Sequence, residues 1–358
     1  MPPHSTIHAT IASLTTGPPL VIAIIGGTSG IGSYIAKAFA SVYRNSNSKL
    51  RIYIVGRNAS RAEALLAEVR ATSPDSEWRF IQAHDLALMS DVDTICAQIK
   101  KYEEEQPLNG GEPRIDMLYM TQAESPLAPS PPTKEGLDTQ VSLLYYSRIR
   151  FILALTPLLL RSQDPSGAHV ISVFAGTIED SISPSALPIG PPAPAKHGVT
   201  SVRTHVAFMK TFMFEALAEE HAGKIAFIHI YPGLVDGPTF LSKVNPLWFR
   251  VLWRIAKLLM AWYMTSPRVC GEIMVFLGTG RYPARGASVV LKEGEEGKTV
   301  ADVAFSSTRE RGGGAYTVGQ RGDEKKQVSY AKLRQSDTRD RVWKHTMGVL
   351  GSVPGLSE

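Results

Sequence analysis

The chain has 358 residues, 44% of them hydrophobic, with a formal net charge of +5 and a pI near 9.1. That length suits one large α/β domain with extensions, and the cations are scattered without interleaved aromatics, which argues against a nucleic-acid-binding face. Its two cysteines, Cys96 and Cys270, stand in no metal-ligand or redox spacing, so they read as structural thiols in a reducing compartment, with no metal site.

Met1 to Pro19 is rich in Ser, Thr, His and Pro and reads as a surface arm, lying against the domain or partly disordered. It shows no secretory signal and no arginine-rich transit peptide, so the expected location is cytoplasmic. Val21 to Ile25 is a continuous apolar run, as a parallel strand covered on both faces requires. Gly26, Gly30 and Gly32 follow in a G-x-x-x-G-x-G spacing, and Ile31, Ile35, Ala36 and Phe39 recur at helical intervals. One glycine lets the chain reverse, one admits a pyrophosphate close to backbone, and one permits close helix–strand packing, with phosphate at the helix N-terminus. The ligand so implied is a dinucleotide.

Arg51 to Val55 is a second strand that runs into Gly56-Arg57-Asn58. An acid at this tip would accept from a ribose 2′-hydroxyl; Arg57 suits a 2′-phosphate instead, and the expected cofactor is NADP(H). Ala59 to Ala71 is an amphipathic helix, and Trp78 to Ala83 a third strand ending in His84-Asp85-Leu86, where an acid-leucine pair can bond the adenine amino group. A helix over Val92 to Glu105 leads to a fourth strand, Ile115 to Met120, with the tip Thr121-Gln122-Ala123-Glu124. This alternation predicts a Rossmann-like, doubly wound parallel sheet.

With these tips in order, the chain resembles the short-chain dehydrogenase/reductase family over roughly Val21 to Gly280. The resemblance makes Leu137 to Leu160 the long interfacial helix, the family's usual homodimer surface. His169 to Val173 and Lys224 to Ile230 become strands five and six, with a helix from Ser201 to His221 between them. Tyr231-Pro232-Gly233-Leu234-Val235 matches the turn that holds the nicotinamide carboxamide, near Val235. The cofactor set it implies is Gly26, Ser29, Gly30, Ile31, Gly32, Arg57, Asn58, Asp85, Leu86, Thr121 and Val235. The wording GGTSGIG, YIVGRN and YPGLV, with a C-terminal Gly-Gly-Ala-Tyr strand and a Val342-to-Thr346 helix, is similar to a divergent fungal branch found in secondary metabolism.

The family's reaction uses a tyrosine as proton donor or acceptor, a lysine four residues later, a serine and an asparagine. Here Ala175 takes the serine's place, Ser142 the asparagine's, and Arg203 and Ala207 those of the tyrosine and lysine; no tyrosine occurs between Ser147 and Ile230. Arg203, Ala207 and Lys210 share a helix face at i, i+4 and i+7, so Arg203 and Lys210 are candidates for electrostatic stabilisation of an enolate or alkoxide. His197 on the preceding loop is a candidate acid or base, while His205 falls off that face. Thr177, Tyr145 and Tyr146 are further hydroxyl candidates. A proline-rich insertion between Thr177 and Val199 reads as a rigid wall or a tolerated surface loop.

The segment after the Pro-Gly turn, about 238–266, takes the family's variable lid position. Trp248, Phe249, Leu252, Trp253, Ile255, Leu258, Leu259, Trp262 and Tyr263 alternate there with Arg250, Arg254 and Lys257, a basic amphipathic helix with too many charges to span a membrane. It is a candidate for peripheral membrane contact over 246–264, for a substrate lid, or for packing against the core or a second copy. The predicted organisation is an arm over 1–19, a domain over 20–285, and an extension over 286–358 with a loop excursion, an edge strand at Ala315 to Val318 and a helix from Gln335 to Met347. The function expected from the resemblance is NADP(H)-dependent redox chemistry on a hydrophobic, polyketide- or terpenoid-like molecule. The alternative is a redox-silent descendant, a cyclase, isomerase or binding subunit.

Overall fold

The computed structural model describes residues 2–125, 129–174, 186–242, 245–260, 262–287, 303–324 and 330–353. Its centre is a seven-stranded parallel sheet: β1 (Leu20–Ile25), β2 (Leu50–Gly56), β3 (Glu77–Gln82), β4 (Met117–Met120), β5 (Ala168–Val173), β6 (Ile225–Ile230) and β7 (Ala315–Val318). They lie in the order β3-β2-β1-β4-β5-β6-β7. Every residue of β1 is buried: Val21, Ala23 and Ile25 face one hydrophobic layer, and Leu20, Ile22 and Ile24 the other. A strand covered on both faces has no polar side to alternate with, hence the unbroken apolar run. The Asp116 carboxylate accepts from the Val21 N–H at 2.8 Å and from Arg114 Nε at 3.2 Å, so β4 pairs regularly only from Met117 onward.

Helices α1 (His4–Ala12), α2 (Gly30–Val42), α3 (Ala59–Thr72) and α4 (Met89–Glu105) precede β4 or flank the first three strands. The N-terminal arm thus lies against the domain, as a helix with a 3-10 turn over residues 4–16. Ile7 and Ile11, one turn apart, are buried, which fastens the helix to the domain. The interfacial helix is continuous over the span expected, as α5 (Thr139–Val141), a π turn (Ser142–Tyr146) and α6 (Ser147–Leu159). Beyond β5 come α7 (Val199–Glu220), α8 (Leu247–Leu259), α9 (Pro267–Phe276) and α10 (Thr338–Ser352).

Helix α9 has no counterpart in the sequence prediction, although Ser266 accepts from the Val269 N–H and Pro267 opens the first turn. A Cβ on its Gly271 would come within 2.4 Å of the Tyr34 carbonyl, so α2 and α9 meet backbone to backbone. In the C-terminal extension, β7 lies where the edge strand was expected, while residues 288–302 of the loop excursion fall outside the described residues. Helix α10 begins later than predicted, at Thr338. It crosses the π turn, where Thr346 and His345 meet the Tyr145 and Tyr146 hydroxyls at 2.6 and 2.9 Å. Part of the surface that the resemblance assigns to a dimer is therefore covered by the chain's own C-terminal helix.

Arg334 holds this extension to α7 through a two-pronged ion pair with the buried Glu215 carboxylate, at 2.8 and 2.6 Å. Replacing Arg334 with Met strands that carboxylate. The expected cost is about 2 kcal/mol, read as a lower urea midpoint, with Arg334→Lys recovering only part because one prong is lost.

Candidate functional site

The carboxyl ends of the strands open into a cleft of about 690 Å3. Its first wall is the β1–α2 turn. Gly26 adopts φ +80°, and a Cβ there would lie 2.7 Å from the Gln122 backbone nitrogen. Gly30 adopts φ +54° with nothing within 4 Å of a Cβ position, so its backbone faces open space at the first turn of α2. No acid sits in that turn, and Ser29 at the N-cap makes no side-chain capping bond. These are the conditions for anion binding, with N–H groups and the positive helix end both unspent.

Gly26, Ser29, Gly30, Ile31, Arg57, Asn58, Leu86, Thr121 and Val235 all line this cleft, as expected. Two of the expected set do not. Gly32 is buried under the turn, where a Cβ would come within 2.4 Å of the Gly26 carbonyl, so it serves helix–strand packing rather than ligand contact. Asp85 turns back on its own loop: its carboxylate accepts from the Ala87 N–H at 3.0 Å, while Asp91 caps the His84 and Asp85 N–H groups. Asn58 has a second duty, accepting from the Arg61 N–H at 2.8 Å to cap α3. Arg57 reaches across to Glu124 at 3.1 Å, a bridge between the tips of β2 and β4. Sequence spacing did not single out Glu124, because the two tips are neighbours only once β1 is inserted between them.

The other end of the cleft is formed by Val173, Phe174, Val202, Arg203, Tyr231 to Val235 and Phe240. The Arg203 guanidinium lies 4.6 Å over the Tyr231 ring, and its Nε hydrogen-bonds to nothing among the described residues. Arg203 therefore stands where it was expected. Tyr231 was passed over as a hydroxyl candidate, although its place at the end of β6, four residues before Val235, was the available signal. Ser142 is buried in the π turn and donates to the Ala87 carbonyl at 2.6 Å, away from the cleft. Tyr145 and Tyr146 are likewise spent on α10, while Ala175 and Thr177 lie outside the described residues.

Two candidate catalytic groups are overturned. His197 is held at 2.9 Å from Asp138, the N-cap of α5, and does not line the cleft. Lys210 is fully buried, with Nζ 5.7 Å from the Phe174 ring centroid. The shared face with Arg203 is real, but seven residues carry Lys210 about 10 Å down the helix axis, beneath the cleft floor. Burial, reinforced by the Arg148 charge, lowers its pKa well below 10.5. Arg148 occupies the same layer, donating to Ser172 Oγ at 2.7 Å, the Val173 carbonyl at 3.0 Å and the Gln122 carbonyl at 2.6 Å. It clamps the ends of β4 and β5 together. His205 donates through Nδ1 to the Gly190 carbonyl at 2.8 Å, off the cleft face as expected.

His229, beside Lys210, is pushed down to about 3 by burial and then by the Lys210 charge. Its Nε2 meets Thr317 Oγ1 at 2.7 Å and Thr211 Oγ1 at 3.2 Å. The unfolded chain takes up this proton below about pH 6.5 and the folded chain only near 3, so stability falls as pH drops through that window. The loss reaches about 1.4 kcal/mol per pH unit. Lys210 acts in the same sense at higher pH, up to its ordinary 10.5. Urea midpoints measured from pH 7 to 4 are expected to decline, and His229→Gln to flatten the decline.

No protein-family model matches the chain. The short-chain dehydrogenase/reductase SAT2 of Stachybotrys chartarum is 47% identical over 357 residues, covering 99% of this chain and 98% of that protein. Oxidoreductase andH of Emericella variicolor is 31% identical over 347 residues, covering 95% and 94%. Among solved structures, the RhlG/NADP active-site complex of Pseudomonas aeruginosa matches with a TM-score of 0.52 at 18% identity, over 73% of this chain and 90% of that one. L-Sorbose reductase from Gluconobacter frateurii, complexed with NADPH and L-sorbose, matches with 0.51 at 18% over the same shares. The structural matches establish the fold, and the full-length relatives establish the lineage: this chain belongs to the short-chain dehydrogenase/reductase family.

Proposed function

We propose that the protein is an NADP(H)-dependent oxidoreductase acting on a hydrophobic, polyketide- or terpenoid-like ketone, alcohol or activated alkene in fungal secondary metabolism. The observation that carries this reading is the phosphate cradle. The N-terminus of α2 has no acid and no side-chain cap, and Gly30 leaves beside it a space that a Cβ would enter. Arg57 stands at the adjoining tip of β2. These residues fit a dinucleotide with an extra phosphate, and structural neighbours with the same fold were crystallised with NADP or NADPH. The α2 N-terminus would hold the pyrophosphate, Arg57 the 2′-phosphate, and the turn at Val235 the carboxamide. Bound there, the nicotinamide supplies or accepts a hydride.

The chain's own contribution to the chemistry falls to Arg203 and Tyr231. The guanidinium stabilises negative charge developing on a substrate oxygen, and the Tyr231 hydroxyl is placed to donate or accept the accompanying proton. Phe174, Val202 and Phe240 give the same end of the cleft an apolar lining that excludes water. Against Phe240 packs α8, whose Trp253 ring is tilted 36° to the Phe240 ring at 4.2 Å between centroids and whose Lys257 pairs with Asp236 at 2.7 Å. This is the lid. A redox-silent cyclase or isomerase is the second reading, favoured by Arg203 and Ala207 in place of the family's tyrosine and lysine and by a Ser142 hydroxyl already committed to Ala87.

A fluorescence titration of the purified protein decides the cofactor. NADPH is expected to bind in clear preference to NADH, Arg57→Ala to erase about tenfold of that preference, and Glu124→Gln to tighten NADPH about threefold by freeing Arg57. Absence of binding overturns the oxidoreductase reading, and product formation that persists without cofactor selects the second.

Hydrophobic carbonyls and enones screened for NADPH consumption then test the proton donor. Tyr231→Phe is expected to lower kcat about a hundredfold while leaving NADPH affinity intact. An unchanged kcat removes Tyr231 from the mechanism.

A further inference from the structure

Helix α8 has three faces. Phe249, Trp253 and Ala256 turn toward the domain; Phe249 and Trp253 stack on each other and meet the Phe240 ring at a tilt. Arg250, Arg254 and Lys257 form a stripe beside them. The third face carries Trp248, Leu252, Ile255, Leu258 and Leu259, and it is displayed rather than packed: Leu258 is 79% exposed, and Trp262 just beyond the helix 86%. A soluble monomer rarely holds so continuous an apolar surface in water without a partner for it.

We propose that this face seats on an anionic lipid surface, with α8 lying in the interface plane. Charge chooses lipid over a second copy of the chain. Between Asp236 and Glu272 there is no acidic residue, while Lys243, Arg250, Arg254, Lys257 and Arg268 all fall within that stretch. Lys257 is engaged by Asp236 and Arg268 by Glu272, which leaves the exposed Arg254 and the half-buried Arg250 as the stripe beside the apolar face. Two copies meeting through α8 would set this stripe against its own image with no acid to answer it. Lipid phosphates and phosphatidylserine carboxylates answer it directly. Trp248, Trp262 and Tyr263 are the residue types that settle at the boundary between headgroups and acyl chains. No helix among the described residues is long and apolar enough to cross a bilayer, so the docking is peripheral.

Because α8 rests on Phe240, which lines the cleft, docking puts the substrate entrance against the lipid. A membrane-dissolved apolar molecule could then enter without crossing water; this last step alone rests on the proposed function.

The test uses the full chain without cofactor, so its result is independent of NADPH binding. Sedimentation with phosphatidylcholine vesicles is compared with sedimentation with phosphatidylcholine–phosphatidylserine vesicles. The protein is expected to pellet with the mixed vesicles and much less with phosphatidylcholine alone, with a blue shift of tryptophan emission. The W248S/L258E double variant is expected to stay in the supernatant. R250Q/R254Q, which keeps the apolar face, is expected to bind mixed vesicles about twentyfold more weakly. Trp248, Leu258 and Arg254 are exposed and Arg250 half-buried, so an unchanged far-ultraviolet circular dichroism spectrum verifies that both variants fold. Failure of the native chain to pellet with mixed vesicles overturns the proposal. So does a dimer, seen by light scattering, that W248S/L258E converts to monomer without any vesicle binding by the native chain.

Discussion

The site depends on how closely the β1–α2 turn approaches the tip of β4. The gap is one that no Cβ fits: at Gly26 it would lie 2.7 Å from the Gln122 nitrogen, and at Gly32 2.4 Å from the Gly26 carbonyl. The Thr121 hydroxyl lies between, within 3.0 Å of the Ile25 carbonyl and 3.1 Å of the Gly26 carbonyl. With β1, β4 and α2 held this tightly, the start of the helix is aimed into the cleft instead of being capped by its own side chains. An anion site thus arises from packing as much as from charge.

The substrate end follows a different electrostatic arrangement from the family's usual one. Where the resemblance calls for a lysine beside a tyrosine, Lys210 lies fully buried below the cleft floor, and burial, reinforced by the Arg148 charge, lowers its pKa. In the same layer Arg148 is lowered to about 9 by burial but supplied with three neutral acceptors. Those acceptors are at the ends of β4 and β5, so the guanidinium is spent on shaping the floor. At this end of the cleft Arg203 lies over the Tyr231 ring, a pairing that holds a guanidinium in place.

Around this core the chain has added elements that each close an exposed edge. Helix α1 lies beside α9, and α9 backs α2 where the glycine turn begins. The C-terminal extension adds β7 to the open edge of β6, then returns through the Arg334–Glu215 pair and α10 to cover the π turn. Among the described helices, α8 keeps a continuous apolar face in solvent, beside Phe240 of the cleft wall.

Local pattern sufficed for all seven strands and for most residues of the cleft, though not for α1 or α9. The apolar run at Val21, the glycine spacing, the cation at Arg57 and the turn at Val235 are consequences of short-range geometry, and each stands where the sequence put it. The absence of any tyrosine between Ser147 and Ile230 is likewise plain in the chain itself, since a register count needs no coordinates. What local pattern could not show was depth. Arg203 and Lys210 share a helix face, yet one reaches the cleft and the other lies beneath its floor, because a helical wheel records angle and not distance along the axis. The partners of Asp85, His197 and Arg57 were hidden for a related reason: Ala87 and Asp91, Asp138, and Glu124 are brought to them by turns and strand order, and no periodicity carries that information. The apolar stripe of α8 was legible as a stripe, but whether it faced the core or the solvent was decided only when Phe249 and Trp253 took the inward side and left the rest of the helix outside.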